Sequence, residues 1–121
     1  MATILIVDDS PTVRRMLGLT LTRHRHAILA AVNGQDALNK LAETAVDLII
    51  ADVSMPQVDG ITLLRQLRAD ARYCHLPVIM LTASGQNADR LIAEQSGANG
   101  FLTKPTSSLE LIATVNQFIG A

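Results

Sequence analysis

Residue types able to do chemistry recur at one kind of place in this chain of 121 residues. Asp8 and Asp9 directly follow the apolar run ILIV, Asp52 follows LIIA, Thr82 follows VIML, and Lys104 comes just after the weaker GFL and Thr103. Three carboxylates gathered in one spot would repel one another, and a hard dication held by oxygen ligands is the natural remedy. Each residue taken singly has an ordinary structural role. Asp8 and Asp9 can favour the positive end of a following helix, Asp52 can serve a turn before Pro56 and the Asp59-Gly60 pair, Thr82 can cap, and Lys104 can be a solvated loop lysine. Such separate explanations do not account for the shared location at the ends of apolar runs.

Those runs are the elements that must position the polar set. They span Thr3 to Val7, Ile28 to Val32, Leu48 to Ala51, Val78 to Leu81 and Gly100 to Leu102, and only the second ends without an ionisable group, at Val32 and Asn33. Strand-length runs without polar alternation suit strands covered on both faces. Between them lie helical stripes: Val13, Met16, Leu17, Thr20 and Leu21; Leu38, Leu41, Ala42 and Ala45; Ile61, Leu64 and Leu67; and Leu111, Ile112, Val115, Phe118 and Ile119. The segment Asn87 to Ser96 has the weakest pattern, with Leu91, Ile92 and Ala88 marking its face. Ser10 before Pro11, Asn33, and Ser107 or Ser108 are helix caps, and Gly97 is a stop. The order βαβαβαβαβα predicts a doubly wound parallel sheet with right-handed crossovers and helices on both faces. Ligands bind such sheets outside the carboxyl ends of the strands, where the polar residues fall. A strand order of 2-1-3-4-5 would make the first and third strands neighbours and put their three carboxylates in one pocket.

Composition bounds the function. One domain over residues 1–121 is expected from the length, and 49% hydrophobic against 17% charged residues supports a real core. Lys+Arg 10 against Asp+Glu 11 leaves a net charge of -1, which offers no general attraction to nucleic acid or to an anionic membrane. Aromatic residues at 2%, with no Trp, argue against base-stacking platforms. Cys74 is the only cysteine and can form no internal disulfide, which suits a reducing compartment. The N-terminal apolar run follows no basic residue and ends in two acids, unlike a signal peptide, and no stretch approaches the length of a membrane span. A cytoplasmic location is the expectation.

The pieces ILIVDDSPTVRRML, DLIIADVSMPQVDG, VIMLTAS and GANGFLTKP together resemble the response-regulator receiver domain of two-component signalling, along the whole chain and in its stand-alone chemotaxis form. The resemblance implies a flavodoxin-like fold of five parallel strands with five helices. It implies that Asp52 accepts a phosphoryl group from a phosphohistidine on a histidine kinase or phosphotransfer protein. It further implies that Asp9 and Asp52 ligate Mg²⁺ or Mn²⁺ with the Ser54 carbonyl, Asp8 acting mainly through water. By the same resemblance Thr82 contacts the phosphoryl oxygens, Lys104 pairs with them, Lys104-Pro105 is a cis peptide, and Phe101 is the switching aromatic. Output would then pass through contacts with an unknown downstream protein, around Phe101, Asn87 to Ser96 and the last helix. The chemistry agrees: a carboxylate attacks an anionic phosphoryl donor only where a cation and a lysine neutralise charge in flight. The resemblance also implies that hydrolysis of the acyl phosphate depends on the positions of Ser54 and Ser84, and neither serine can orient an attacking water as Asn or Glu can. Slow self-dephosphorylation is therefore expected.

A phosphatase of the haloacid dehalogenase type is the rival enzyme, but it would need an Asp-x-Asp signature where this chain has adjacent Asp8 and Asp9, and a late acidic pair where it has Leu81 and Thr82. Neither G-x-G-x-x-G nor G-x-x-x-x-G-K-[ST] occurs, which weighs against a nucleotide-binding module. The basic cluster Arg23 to His26 is read as complementing the negative end of the first helix, and Cys74 beside His75 as a loop pair rather than a metal site.

Overall fold

A computed structural model describes residues 2–53, 60–83 and 87–119. Five strands, β1 (Thr3–Val7), β2 (Ala27–Ala31), β3 (Leu48–Asp52), β4 (Val78–Ala83) and β5 (Gly100–Lys104), alternate with five helices, α1 (Pro11–Arg23), α2 (Gly34–Glu43), α3 (Gly60–Arg68), α4 (Asn87–Gln95) and α5 (Ser108–Ile119). All strand pairs are parallel, in the order β2-β1-β3-β4-β5. The expected fold class and strand order are those observed.

Period-two alternation explains the unbroken apolar runs. Leu5, Val7, Ile49, Ala51, Val78 and Met80 face one layer, where they meet Ala37 and Leu41 of α2, Leu63, Leu64 and Leu67 of α3, and Ala93 of α4. Ile4, Ile6, Leu48, Ile50, Ile79, Leu81 and Leu102 face the other, against Leu17 and Leu21 of α1 and Leu111 and Val115 of α5. A strand covered twice has no solvent face to make polar. The caps stand where the sequence placed them: Ser10 Oγ accepts from Val13 N, Asn33 Oδ1 from Asp36 N, and Ser107 Oγ from Glu110 N. Gly97 ends α4 at φ 105, a conformation that suits glycine.

Several boundaries and faces differ from the sequence reading. β2 starts and stops one residue early, because its register with the five residues of β1 runs from Thr3↔Ala27 to Val7↔Ala31. Val32 then leaves the ladder, and its N–H is taken by Asp36 Oδ2. β4 and β5 run further, pairing through Thr82↔Thr103 and Ala83↔Lys104, so these polar residues lie within strands rather than after them. Met16 is 55% exposed at the mouth of a cavity of about 270 Å³ that Val13, Leu81 and Leu111 also line. Ala42 is exposed and Ala45 lies beyond the end of α2. In α4 the face differs from the expected one: Leu91 and Ile92 are 55% and 41% exposed while Ala93 packs into the core, and the side chain of Ala88 lies outside the described residues. A methyl side chain lets that short helix sit close to the sheet layer and leaves its larger apolar residues outside.

In the basic cluster, His24 Nδ1 lies 2.9 Å from the Thr20 carbonyl near the end of α1, but His26 turns inward. It is buried and accepts a hydrogen bond from Ala2 N. Cys74 and His75 lie in the turn between α3 and β4.

Candidate phosphoacceptor site

β1 and β3 are neighbours through Val7↔Ala51, so the residues that follow them emerge side by side at the carboxyl edge of the sheet. Asp8, Asp9 and Asp52 each offer a carboxylate oxygen within 4.8 Å of the others. Asp8 is buried, Asp52 partly buried and Asp9 exposed. β5 delivers the counter-charge from the far side of β4: Lys104 Nζ donates to Asp52 Oδ2 at 3.0 Å and lies 2.7 Å from Asp8 Oδ2. Burial by itself would pull the Lys104 pKa down; its hydrogen bond to Asp52 and the negative charges of Asp8 and Asp52 outweigh it, and the net shift is upward. The lysine therefore stays an ammonium throughout the neutral range.

Asp8 is aimed from the backbone. Its Oδ1 accepts from Ser10 N at 2.9 Å, its N–H donates to Ala31 O, and its carbonyl accepts from Arg14 Nη1 at 2.7 Å. Oδ2 has the lysine charge nearby but no well-directed hydrogen bond. A buried carboxylate oxygen with an unfilled lone pair, in a cluster of three hard oxygen donors, fits a divalent cation or one of its waters. Asp52 is held from behind: a Cβ at Gly60 would stand 1.9 Å from the Asp52 carbonyl oxygen, so the start of α3 packs directly on the backbone that carries the Asp52 carboxylate.

Thr82 is buried, one residue beyond the Asp52↔Leu81 pair, and its hydroxyl is 3.5 Å from Leu102 O. Phe101 is half-buried in β5, with the Arg90 guanidinium of α4 stacked 4.8 Å from its ring centre. Lys104-Pro105 is cis, as expected. Ser54 and Ser84 lie outside the described residues. The sequence reading assigned no role to Arg14 or Gly60 at this edge. Gly60 had a signal, since a glycine directly after Asp59 can mark a close approach as well as a turn, whereas a guanidinium reaching back six residues leaves no periodic trace.

A parallel 2-1-3-4-5 sheet with an acid cluster and a lysine at its carboxyl edge defines a phosphoacceptor signalling module, and the chain belongs to the response regulator receiver domain family, whose model matches residues 4–116. Phosphorylation on aspartate is the general property of this family, and its members are signalling proteins rather than conventional enzymes. The chain is 39% identical over 119 residues to protein PilH of Pseudomonas aeruginosa, covering 98% of both chains. It is 39% identical to the transcriptional regulatory protein ResD of Bacillus subtilis, but spans only 47% of that protein. Among solved structures, the chemotaxis response regulator CheY4 of Vibrio cholerae superposes with a TM-score of 0.92 at 32% identity, covering 98% of this chain and 99% of the other. Receiver domains generally bind Mg²⁺ at such an acidic cluster, and they interact with histidine kinases or phosphotransfer proteins and with downstream targets. No helix among the described residues is long and apolar enough to cross a membrane.

Proposed function

We propose that Asp52 is the phosphoacceptor of this receiver domain and that Asp8, Asp9 and Asp52 form its divalent-cation site, with Mg²⁺ or Mn²⁺ as the ion and the Ser54 carbonyl as a further ligand. The observation that carries the reading is the placement of the Asp52 carboxylate between the Lys104 ammonium at 3.0 Å and the two acids that follow β1. In the transfer, an Asp52 carboxylate oxygen forms a bond to phosphorus as the phosphorus–nitrogen bond of a phosphohistidine breaks, and the released imidazole nitrogen takes a proton. The divalent ion, when bound, offsets the negative charge of acceptor and phosphoryl oxygens. Lys104 sits where it can follow the phosphoryl group onto Asp52, and the Thr82 hydroxyl is held at the same sheet edge by a long contact that it can exchange for a phosphoryl oxygen. The chain's own residues thus supply positioning and charge, which is most of what phosphoryl transfer asks of a protein.

Phe101 and the exposed Leu91 and Ile92 of α4 support an output surface around α4, β5 and α5. Thr82 moving toward the phosphoryl group vacates space beside β5, and Phe101 fills it. On this reading residues 1–121 act as one receiver unit in the cytoplasm, between a histidine kinase or phosphotransfer protein and a downstream protein. The test is incubation with Mg²⁺ and acetyl phosphate, followed by intact mass and site mapping. The parent gains one phosphoryl group at Asp52, chelation of the metal prevents it, and Asp52→Asn takes up none. Label on another residue of the parent, or full labelling of Asp52→Asn, overturns the assignment.

A further inference from the structure

Arg14 sits at the wrong end of its helix for its charge. It lies in the second turn from the start of α1, where the helix dipole disfavours a cation, and the first turn of α1 carries no acidic residue to offset it. The compensation comes from outside the helix: its Nη1 donates to the Asp8 carbonyl at 2.7 Å, and its charge also reaches Asp36 at the start of α2, whose carboxylate accepts from Val32 N at 3.0 Å. The guanidinium is therefore half-buried and held at the end of β1.

The carbonyl it holds belongs to the peptide that joins Asp8 to Asp9. Asp8 has further restraints, since Ser10 N orients its carboxylate and Ala31 O holds its N–H. Asp9 has none of that kind: it is exposed, and among the described residues no hydrogen bond or ion pair reaches its carboxylate. The peptide that precedes it has its carbonyl held by the Arg14 hydrogen bond, and the orientation of that peptide governs where the Asp9 side chain starts.

We propose that Arg14 is the positioning residue of the cation site, fixing the Asp8–Asp9 peptide so that the exposed Asp9 carboxylate converges with Asp8 and Asp52. The inference rests on the acid cluster being a divalent-cation site. Arg14 contacts neither the ion nor the phosphoryl group, and acts through Asp9.

The test measures Mn²⁺ binding to the unphosphorylated full chain by the electron paramagnetic resonance signal of free Mn²⁺, for the parent, Arg14→Gln, Arg14→Lys and Asp9→Asn. Loss of a partner that orients a metal ligand typically weakens affinity by about tenfold, and that is the effect expected for Arg14→Gln. Arg14→Lys, which keeps a donor and the charge but not the fork, recovers part of it. In phosphorylation by acetyl phosphate, Arg14→Gln raises the half-saturating Mg²⁺ concentration while the rate at saturating Mg²⁺ stays near that of the parent, a split that general loosening of α1 would not give. Unchanged Mn²⁺ affinity in a folded Arg14→Gln, with Asp9→Asn weakened, overturns the positioning role alone. A parent that binds no Mn²⁺ overturns the cation site and this inference with it. Should Arg14→Gln fail to fold, Arg14→Lys decides: equal affinity to the parent together with an equal half-saturating Mg²⁺ concentration overturns the proposal.

Discussion

Asp8, Asp9 and Asp52 crowd three negative charges together, with the Lys104 ammonium against only two of them, an arrangement that costs the metal-free fold stability. Asp9→Asn is accordingly expected to raise the melting temperature without metal, by an amount corresponding to about 1 kcal/mol for an exposed charge. The same variant should lose most of the further rise that Mg²⁺ produces in the parent, since a ligand of the folded state stabilises it by mass action. Calorimetry with and without Mg²⁺ checks both halves, and a metal-free variant less stable than the parent would contradict the repulsion. Lifetime is a second matter for single residues. If Ser54 and Ser84 leave the acyl phosphate without a group to orient water, replacing both together by Asn and Glu should speed phosphate loss. A parent that decays as fast as the Ser54→Asn, Ser84→Glu variant would remove that argument.

The elements are fastened to one another at a few polar points. Arg68, at the end of α3, donates to Gly97 O at 3.0 Å, to Leu76 O at 2.9 Å and to Asn99 Oδ1 at 2.7 Å, and that Asn99 oxygen also accepts from Val78 N. One side chain thus ties α3 to the turn before β4 and to the segment between α4 and β5. Arg68→Met keeps the apolar stem and removes the donors, and should cost about 2–3 kcal/mol because half-buried acceptors lose a charged partner. Denaturant unfolding gives the magnitude, and faster amide exchange around residues 96–99 than elsewhere would locate it. At the other end of α3, Gly60→Ala should act on the site rather than only on stability. Its Cβ would stand 1.9 Å from the Asp52 carbonyl, so either the Asp52 backbone or the start of α3 must move. A lower rate of phosphorylation at saturating Mg²⁺ is the expected result, and an unchanged rate would show that the helix alone yields.

For the whole molecule, pH acts through His26. Burial, its largest cause, and the nearby charge of His24 hold the His26 pKa below its ordinary 6.5, so the folded chain keeps the ring neutral. Above 6.5 the ring is neutral in both states and stability is full. As pH falls through 6.5 the unfolded chain takes up the proton first, and stability declines. A folded pKa on the low side also protects Asp36, chiefly through its hydrogen bond from Val32 N, but that contribution fades only as pH falls below the ordinary 3.8. Melting temperatures between pH 7 and 5 should therefore fall in the parent and flatten in His26→Gln. An equal slope in the two would place the titration elsewhere.

Alternation of apolar runs and helical stripes carried most of the architecture, because a strand covered on both faces must be apolar throughout and a helix on one face must repeat at its own period. The residues that end those runs, Asp8, Asp9, Asp52, Thr82 and Lys104, were legible for the same reason: a parallel sheet sends every strand's carboxyl end to one edge. The face of α4 is not legible in the same way at Leu91 and Ile92, since Ala93 is small enough to pack where they are not, and apolarity alone does not say which residue the neighbouring layer has room for. Only the tertiary structure decided that Lys104 reaches across β4 to Asp8 and Asp52, that Gly60 presses on the Asp52 backbone, and that Arg14 turns back to the Asp8 carbonyl. These are contacts between a side chain and whatever lies at the end of its reach, and distance in space has no period along the chain.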